Sequence, residues 1–263
     1  MNKNDMWANA EAYKAYVGRW SRVVAGEFLD WLSVPPDSAW LDVGCGTGAL
    51  TETILRKAQP AEVTGIDPAE GFVSYAREHV RDGRALFRVC DATALPLEDE
   101  TLGAVVAGLV LNHIPNHEAA LAEMVRVAGR GGVVASYVWD YAEGMQMLRV
   151  FWDAAVELDP AAEERHQGRR YPICKPEPLS ELFKNAGLTG VEVRAIDAKT
   201  HFRDFDDYWL PFLGGQGPAP GYVTSLAEEE RAALRERIRS KLPVEPDGSI
   251  SLVARAWAVR GRK

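Results

Sequence analysis

An α/β fold built on a doubly wound, mostly parallel sheet, with an antiparallel last strand and a helical insertion, is what this sequence predicts. Three observations predict it. Short apolar runs alternate with amphipathic segments from residue 39 to residue 140. The run over residues 102–111 is almost wholly apolar, as a central strand covered on both faces must be. The first run ends in a glycine turn, Gly44-Cys45-Gly46-Thr47-Gly48, where backbone without Cβ atoms admits a nucleotide-like ligand to its N–H groups.

Taken in order, residues 1–17 are polar with scattered aromatics (Trp7, Tyr13, Tyr16) and read as a cover or a short helix. Residues 21–32 put Val24, Phe28, Trp31 and Leu32 on one helical face, and Pro35-Pro36 ends that helix. The first strand, 39–43, runs into the glycine turn and then a helix that turns Leu50, Ile54 and Leu55 to the sheet. The second strand, 62–66, closes at Asp67-Pro68, and a helix with Phe72, Val73, Ala76 and Val80 follows. The third, 85–89, ends at Cys90-Asp91-Ala92, and the fourth stops at Asn112-His113-Ile114-Pro115. A helix with Leu121, Met124 and Val125, a turn over 129–132 and a fifth strand over 133–138 complete the regular rhythm.

Beyond Asp140, which reads as a solvent-facing loop residue or a substrate-orienting one, the pattern changes. Residues 145–158 and 177–186 read as helices, 191–196 and 250–259 as strands. The stretch 204–242 between those strands reads as a helical lid, with Ser225 and Glu228 forming a capping box. Trp152, Trp209, Phe212 and Tyr222 are either a pocket wall or, more commonly for such a stripe, core.

Composition excludes several classes. The chain has 263 residues, enough for one such domain with an elaboration. Its net charge of −8 argues against an electrostatic grip on nucleic acid. Cys45, Cys90 and Cys174 are widely spaced with no Cys-x-x-Cys, which implies reduced thiols and a cytoplasmic setting; Cys45 and Cys90 read as small buried residues. No run is long and apolar enough to span a membrane, and no signal-peptide core is seen at the start. His113 and His117 are separated by Pro115 with no further ligand pattern, so no metal site is expected.

The glycine spacing departs from the dinucleotide fingerprint: the third glycine comes one residue early, and Asp42 precedes the set. That argues against a nicotinamide oxidoreductase. Asp67, Asp91 and His113 all fall at strand C-termini, the edge where doubly wound sheets bind ligands. This set, spread over residues 39–140, resembles the class I S-adenosylmethionine-dependent methyltransferases, and among them the small-molecule, UbiE-like (type 11) domain. The resemblance implies a Rossmann-like core and S-adenosyl-L-methionine as cofactor. It places the amino-acid end of the cofactor on Gly44, Cys45, Gly46 and Gly48, with Asp42 bracing the loop from behind. It places the ribose hydroxyls on Asp67 beside Pro68, and the adenine amino group on Asp91 beside Ala92, with Leu109 contributing to the site. The segment from Tyr13 to Trp20 resembles the leading helix of many members, which nominates Tyr16 and Arg19 for the cofactor carboxylate. Plainer roles compete: Asp67 as a turn former, Asp91 as a helix N-cap, Tyr16 and Arg19 as surface residues of a cap.

Methyl transfer by in-line displacement needs a positioned nucleophile and a base for its proton. His113 is the candidate base, against a structural histidine on a loop carbonyl. The expected organisation is cap helices over 1–35, the cofactor-binding core over 36–140, a lid and substrate region over 141–250 with a sheet strand near 191–196, and a last core strand over 251–263. The expected partner is a small-molecule methyl acceptor, with neither nucleic acid nor membrane; the Asn/Asp-Pro-Pro-Tyr element of enzymes acting on DNA bases is absent. A cofactor-binding protein without catalysis is the alternative.

Overall fold

The structure, a computed structural model, describes residue 16 and residues 18–214 and 217–263. Apart from Tyr16, the cover expected over 1–17 lies outside the described residues. The elements are α1 (Arg19–Leu32), β1 (Ala39–Val43), α2 (Ala49–Lys57), β2 (Glu62–Asp67), α3 (Glu70–His79), β3 (Ala85–Val89), β4 (Leu102–Gly108), α4 (His117–Val127) and β5 (Ala128–Trp139). There follow α5 (Gln146–Leu158), α6 (Gln167–Arg170), α7 (Pro176–Asn185), β6 (Thr189–Phe202), α8 (Phe205–Trp209), α9 (Pro218–Ser225), α10 (Glu228–Lys241) and β7 (Ile250–Arg262).

The seven strands form one sheet in the order β3-β2-β1-β4-β5-β7-β6. From β3 to β5 every neighbouring pair is parallel. Strand β7 runs against β5: Gly131 N donates to Lys263 O at 3.0 Å and Lys263 N to Gly132 O at 3.1 Å, joining the start of one to the end of the other. The doubly wound sheet with an antiparallel last strand is therefore present. Its order reverses between β1 and β4, which makes that junction the switch point.

The chain divides into two compact units, and the division falls inside β5, β6 and β7 and after the first two residues of α1. The first comprises Ser21–Val138, Ile173–Ile196 and Ala256–Lys263. Its central strands bury Trp40, Leu41 and Val43 of β1 and Ala104 through Ala107 of β4, the residues whose apolar run marked them as strands. Helix α1 lays Phe28 on Tyr137 of β5 with ring centroids 4.7 Å apart. The second unit includes Trp139–Pro172 and Asp197–Arg255. Its core is aromatic: Phe151 stacks on Phe212 at 4.6 Å, and Trp152, Tyr208, Trp209 and Tyr222 are buried around them. The aromatic stripe is thus packed interior.

Several local expectations are corrected. Strand β4 stops at Gly108 rather than at residue 111; Leu109 takes a left-handed φ of +59°, and Leu111–His113 form a 3-10 turn. The glycines at 129–132 do not end the preceding helix in a free turn but lie inside β5, where the register with β4 shifts between Leu102 and Ala104. A Cβ at Gly132 would stand 2.7 Å from Gly129 O and 3.0 Å from Leu102 O, so the glycines serve a bulge. Ser225 does not cap α10. Its hydroxyl donates to Tyr222 O at 2.7 Å, and Glu230 accepts from Ala227 N at 2.9 Å two residues later than expected. Asp140 is buried rather than solvent-facing, and its Oδ1 accepts from Glu143 N at 3.0 Å to close a turn. Cys45 is buried, but Cys90 is only half-buried, its thiol directed to the carbonyls of Asp91 and Ala94.

Candidate cofactor site at the sheet switch point

Parallel pairing brings the carboxyl ends of β3, β2, β1 and β4 to one edge, with Asp67 opposite Val89 and Val43 opposite Ile66. The glycine loop sits on that edge between β2 and β4. Cys45 N donates to Ile66 O at 2.8 Å, Gly48 N to Cys45 O at 2.8 Å, and Glu52 N to Gly48 O at 2.8 Å, which starts α2. Gly44 has φ +70°, and a Cβ there would lie 2.4 Å from Val110 Cγ2, so both conformation and packing demand glycine. Gly46 has φ +51° with nothing within 4 Å of a would-be Cβ: the loop is open on that side.

Two carboxylates hold this loop. Asp67, 8% exposed, accepts from Gly46 N at 3.0 Å and from Ala69 N at 2.9 Å. Burial pushes its carboxyl above the ordinary value, while those two N–H groups work the other way. Asp42, 1% exposed, accepts from Thr51 Oγ1 at 2.7 Å, which ties β1 to the first turns of α2. Its other oxygen is buried without a hydrogen-bond partner. Burial raises Asp42 to about 7; the Thr51 bonds oppose this and the nearby Asp67 charge adds to it. The Cys45 thiol packs with Val73, Ala76 and Phe87, and burial lifts it well above its ordinary range, so only the backbone of Cys45 serves the open side of the turn.

Asp91 is exposed just after β3, and its Oδ1 accepts from Thr93 N at 2.8 Å and Thr93 Oγ1 at 2.7 Å. It is a local turn residue, not a helix N-cap; those bonds hold its carboxyl below the ordinary value. Ala92 beside it is buried and Pro68 is exposed. After β4, Leu109 N donates to Tyr137 O at 2.8 Å and His113 N to Val110 O at 2.7 Å. His113 is exposed in its 3-10 turn. Next to it, Asn112 Nδ2 is buried with no partner, a polar group that sequence reasoning did not single out. Its only signal was its place in the Asn-His-Ile-Pro stop.

Tyr16 and Arg19 belong to the other unit. Tyr16 is buried edge-on against Phe212 at 5.4 Å, not at the surface. Arg19 pairs with Asp207 at 3.2 and 3.3 Å and donates to His201 O at 3.3 Å. Among the described residues no group of three or more His, Cys, Asp or Glu could hold a metal ion.

The residues of the edge fit a nucleoside-type group: an open glycine turn, a carboxylate at each of two neighbouring strand ends, and an unpaired buried amide donor at Asn112. Fold and edge together define a Rossmann-like nucleoside-cofactor-binding domain. Residues 41–136 match the methyltransferase domain family. Over 190 residues, 67% of this chain and 74% of that protein, the chain is 27% identical to the ubiquinone/menaquinone biosynthesis C-methyltransferase UbiE of Desulfotalea psychrophila. It is 28% identical over 179 residues, 63% of this chain and 74% of that one, to the demethylmenaquinone methyltransferase of Roseiflexus castenholzii. In fold it is similar to Haemonchus contortus phosphoethanolamine N-methyltransferase 2, solved with S-adenosylhomocysteine: TM-score 0.60, 17% identity, 96% of this chain and 56% of that one. The chain is an S-adenosylmethionine-dependent methyltransferase with a Rossmann-like fold, and S-adenosyl-L-methionine is its cofactor. No helix among the described residues is long and apolar enough to cross a membrane.

Proposed function

We propose that this methyltransferase methylates a ring carbon of a small hydroxylated aromatic acceptor of the quinol kind. The observation that carries the acceptor class is the likeness to C-methyltransferases of quinone biosynthesis over two thirds of the chain. When bound, the cofactor supplies an activated methyl on a sulfonium. The chain's own residues bind and orient. The loop at Gly44, Gly46 and Gly48, with Cys45 contributing backbone, takes the amino-acid end; Asp42 keeps that loop on α2. Asp67 takes the ribose hydroxyls with lone pairs that its bonds to Gly46 and Ala69 leave free, since each carboxylate oxygen accepts more than one bond. Asp91 takes the adenine amino group, with Pro68, Ala92 and Leu109 as walls. His113, exposed after β4, receives the proton that the acceptor loses as its carbon forms the new bond. Acceptor selection is assigned to residues 141–250.

Isothermal titration with S-adenosylhomocysteine tests the placement. Wild type is expected to bind, and Asp67→Ala to bind more weakly by about 1–3 kcal/mol, as for loss of a charge-assisted hydrogen-bond pair. Unchanged affinity would remove Asp67 from the ribose. Incubation with S-adenosylmethionine and a panel of reduced naphthoquinols, followed by mass spectrometry, tests the acceptor. Cofactor binding together with methylation of other acceptor classes but no quinol would refute the quinol assignment alone.

A further inference from the structure

We propose that Glu123 and Arg126 of α4 form a clamp that sets the position of Asp91 and so governs recognition of the adenine amino group. The inference rests on the assignment of Asp91 made above. Residues 90–101, which join β3 to β4 and carry Asp91, form neither helix nor strand. A segment with no ladder of its own depends on other groups for its place. Arg126 provides them. Its Nη1 donates to Leu97 O at 2.8 Å and to Asp99 Oδ1 at 2.6 Å; its Nη2 donates to Leu95 O at 2.9 Å. Glu123, one helical turn earlier, grips the same guanidinium from the other side, accepting from Nε at 2.7 Å and Nη2 at 2.8 Å. Its Oε2 also accepts from Leu95 N at 2.7 Å.

One ion pair thus holds both backbone groups of Leu95, and each of the five N–H donors of a guanidinium has a partner. Backbone bonds continue the seam: Glu100 N donates to Arg126 O and Thr101 N to Val127 O, both at 3.1 Å. Only residues 90–94 lie between this anchor and the end of β3, and Asp91 is itself folded onto Thr93. A shift at Leu95 is carried over four residues to the Asp91 carboxylate. Lysine cannot replace Arg126, because it lacks the planar fork that reads Leu95 and Leu97 together. Glu123 and Arg126 are therefore positioning residues: they touch no ligand.

Titration calorimetry with S-adenosylhomocysteine and with S-inosylhomocysteine, whose base lacks the amino group, tests the clamp. Wild type is expected to prefer the adenosyl ligand by roughly tenfold or more, the scale of one charge-assisted hydrogen bond. In Glu123→Gln and Arg126→Lys the preference shrinks to less than about threefold while the inosyl ligand binds as before. Variants that keep the full preference, or that weaken both ligands alike, overturn the clamp, as does a wild type without preference. A wild type that binds neither ligand instead defeats the cofactor assignment on which the clamp depends. Should both variants fail to fold, hydrogen exchange on the wild type decides: the Leu95 amide must be protected, and exchange at the unprotected rate overturns the proposal.

Discussion

Replacing Asp42 by Asn removes a buried charge while keeping its shape. In the folded chain burial moves this carboxyl from 3.8 to about 7, helped by Asp67 and opposed by Thr51. A folded-state value above the unfolded one means that the native chain holds the proton more tightly. Protonation therefore favours folding: this contribution is complete below about pH 4 and is lost as pH rises through 7. At 1.36 kcal/mol per unit, the interval amounts to about 4 kcal/mol. Urea unfolding of wild type and Asp42→Asn at intervals from pH 4 to 8 measures it, because titrating groups that are not coupled to Asp42 cancel in the difference. Wild type is expected to lose about 4 kcal/mol relative to the variant over that range, at neutral pH and above ending as the less stable partner by whatever exceeds the cost of altering the Thr51 bond. Parallel profiles would refute the reasoning, since they would mean that Asp42 is ionised alike in both states.

Three further outcomes are expected. Gly44→Ala meets Val110 and a φ of +70° together, and should cost more than about 2 kcal/mol in urea unfolding; adding Val110→Ala should recover part of the loss. Asn116 caps α4 by accepting from Ala119 N at 3.0 Å, so Asn116→Ala should cost about 1 kcal/mol with no change in cofactor affinity. Phe151 is fully buried against Phe212 and Trp152, and Phe151→Ala should cost about 3–5 kcal/mol in the same assay.

The sheet was readable because its strands are apolar runs that end where the backbone must turn sharply, at Gly44, Asp67-Pro68, Asp91 and the Asn-His-Ile-Pro stop. Parallel pairing then made neighbours of positions far apart in sequence. What the sequence could not show are bonds between such positions. Nothing local links Gly46 to Asp67, yet one donates to the other at 3.0 Å. Arg126 carries no motif that singles it out in the sequence; only the path of residues 90–101 turns it into an anchor. The glycines at 129–132 misled because a turn and a bulge require the same residue. Ser225 misled because its hydroxyl had a nearer carbonyl, at Tyr222, than the N–H groups it was expected to serve.

Because β7 lies between β5 and β6, strand β6 has no neighbour in the sheet until residues 250–262 exist. During translation at roughly 5–20 residues per second, β6 waits several seconds for the partner that will seat it. Its alternating face stays unpaired through that interval. A chain cut short before residue 250 would shed two strands, not one.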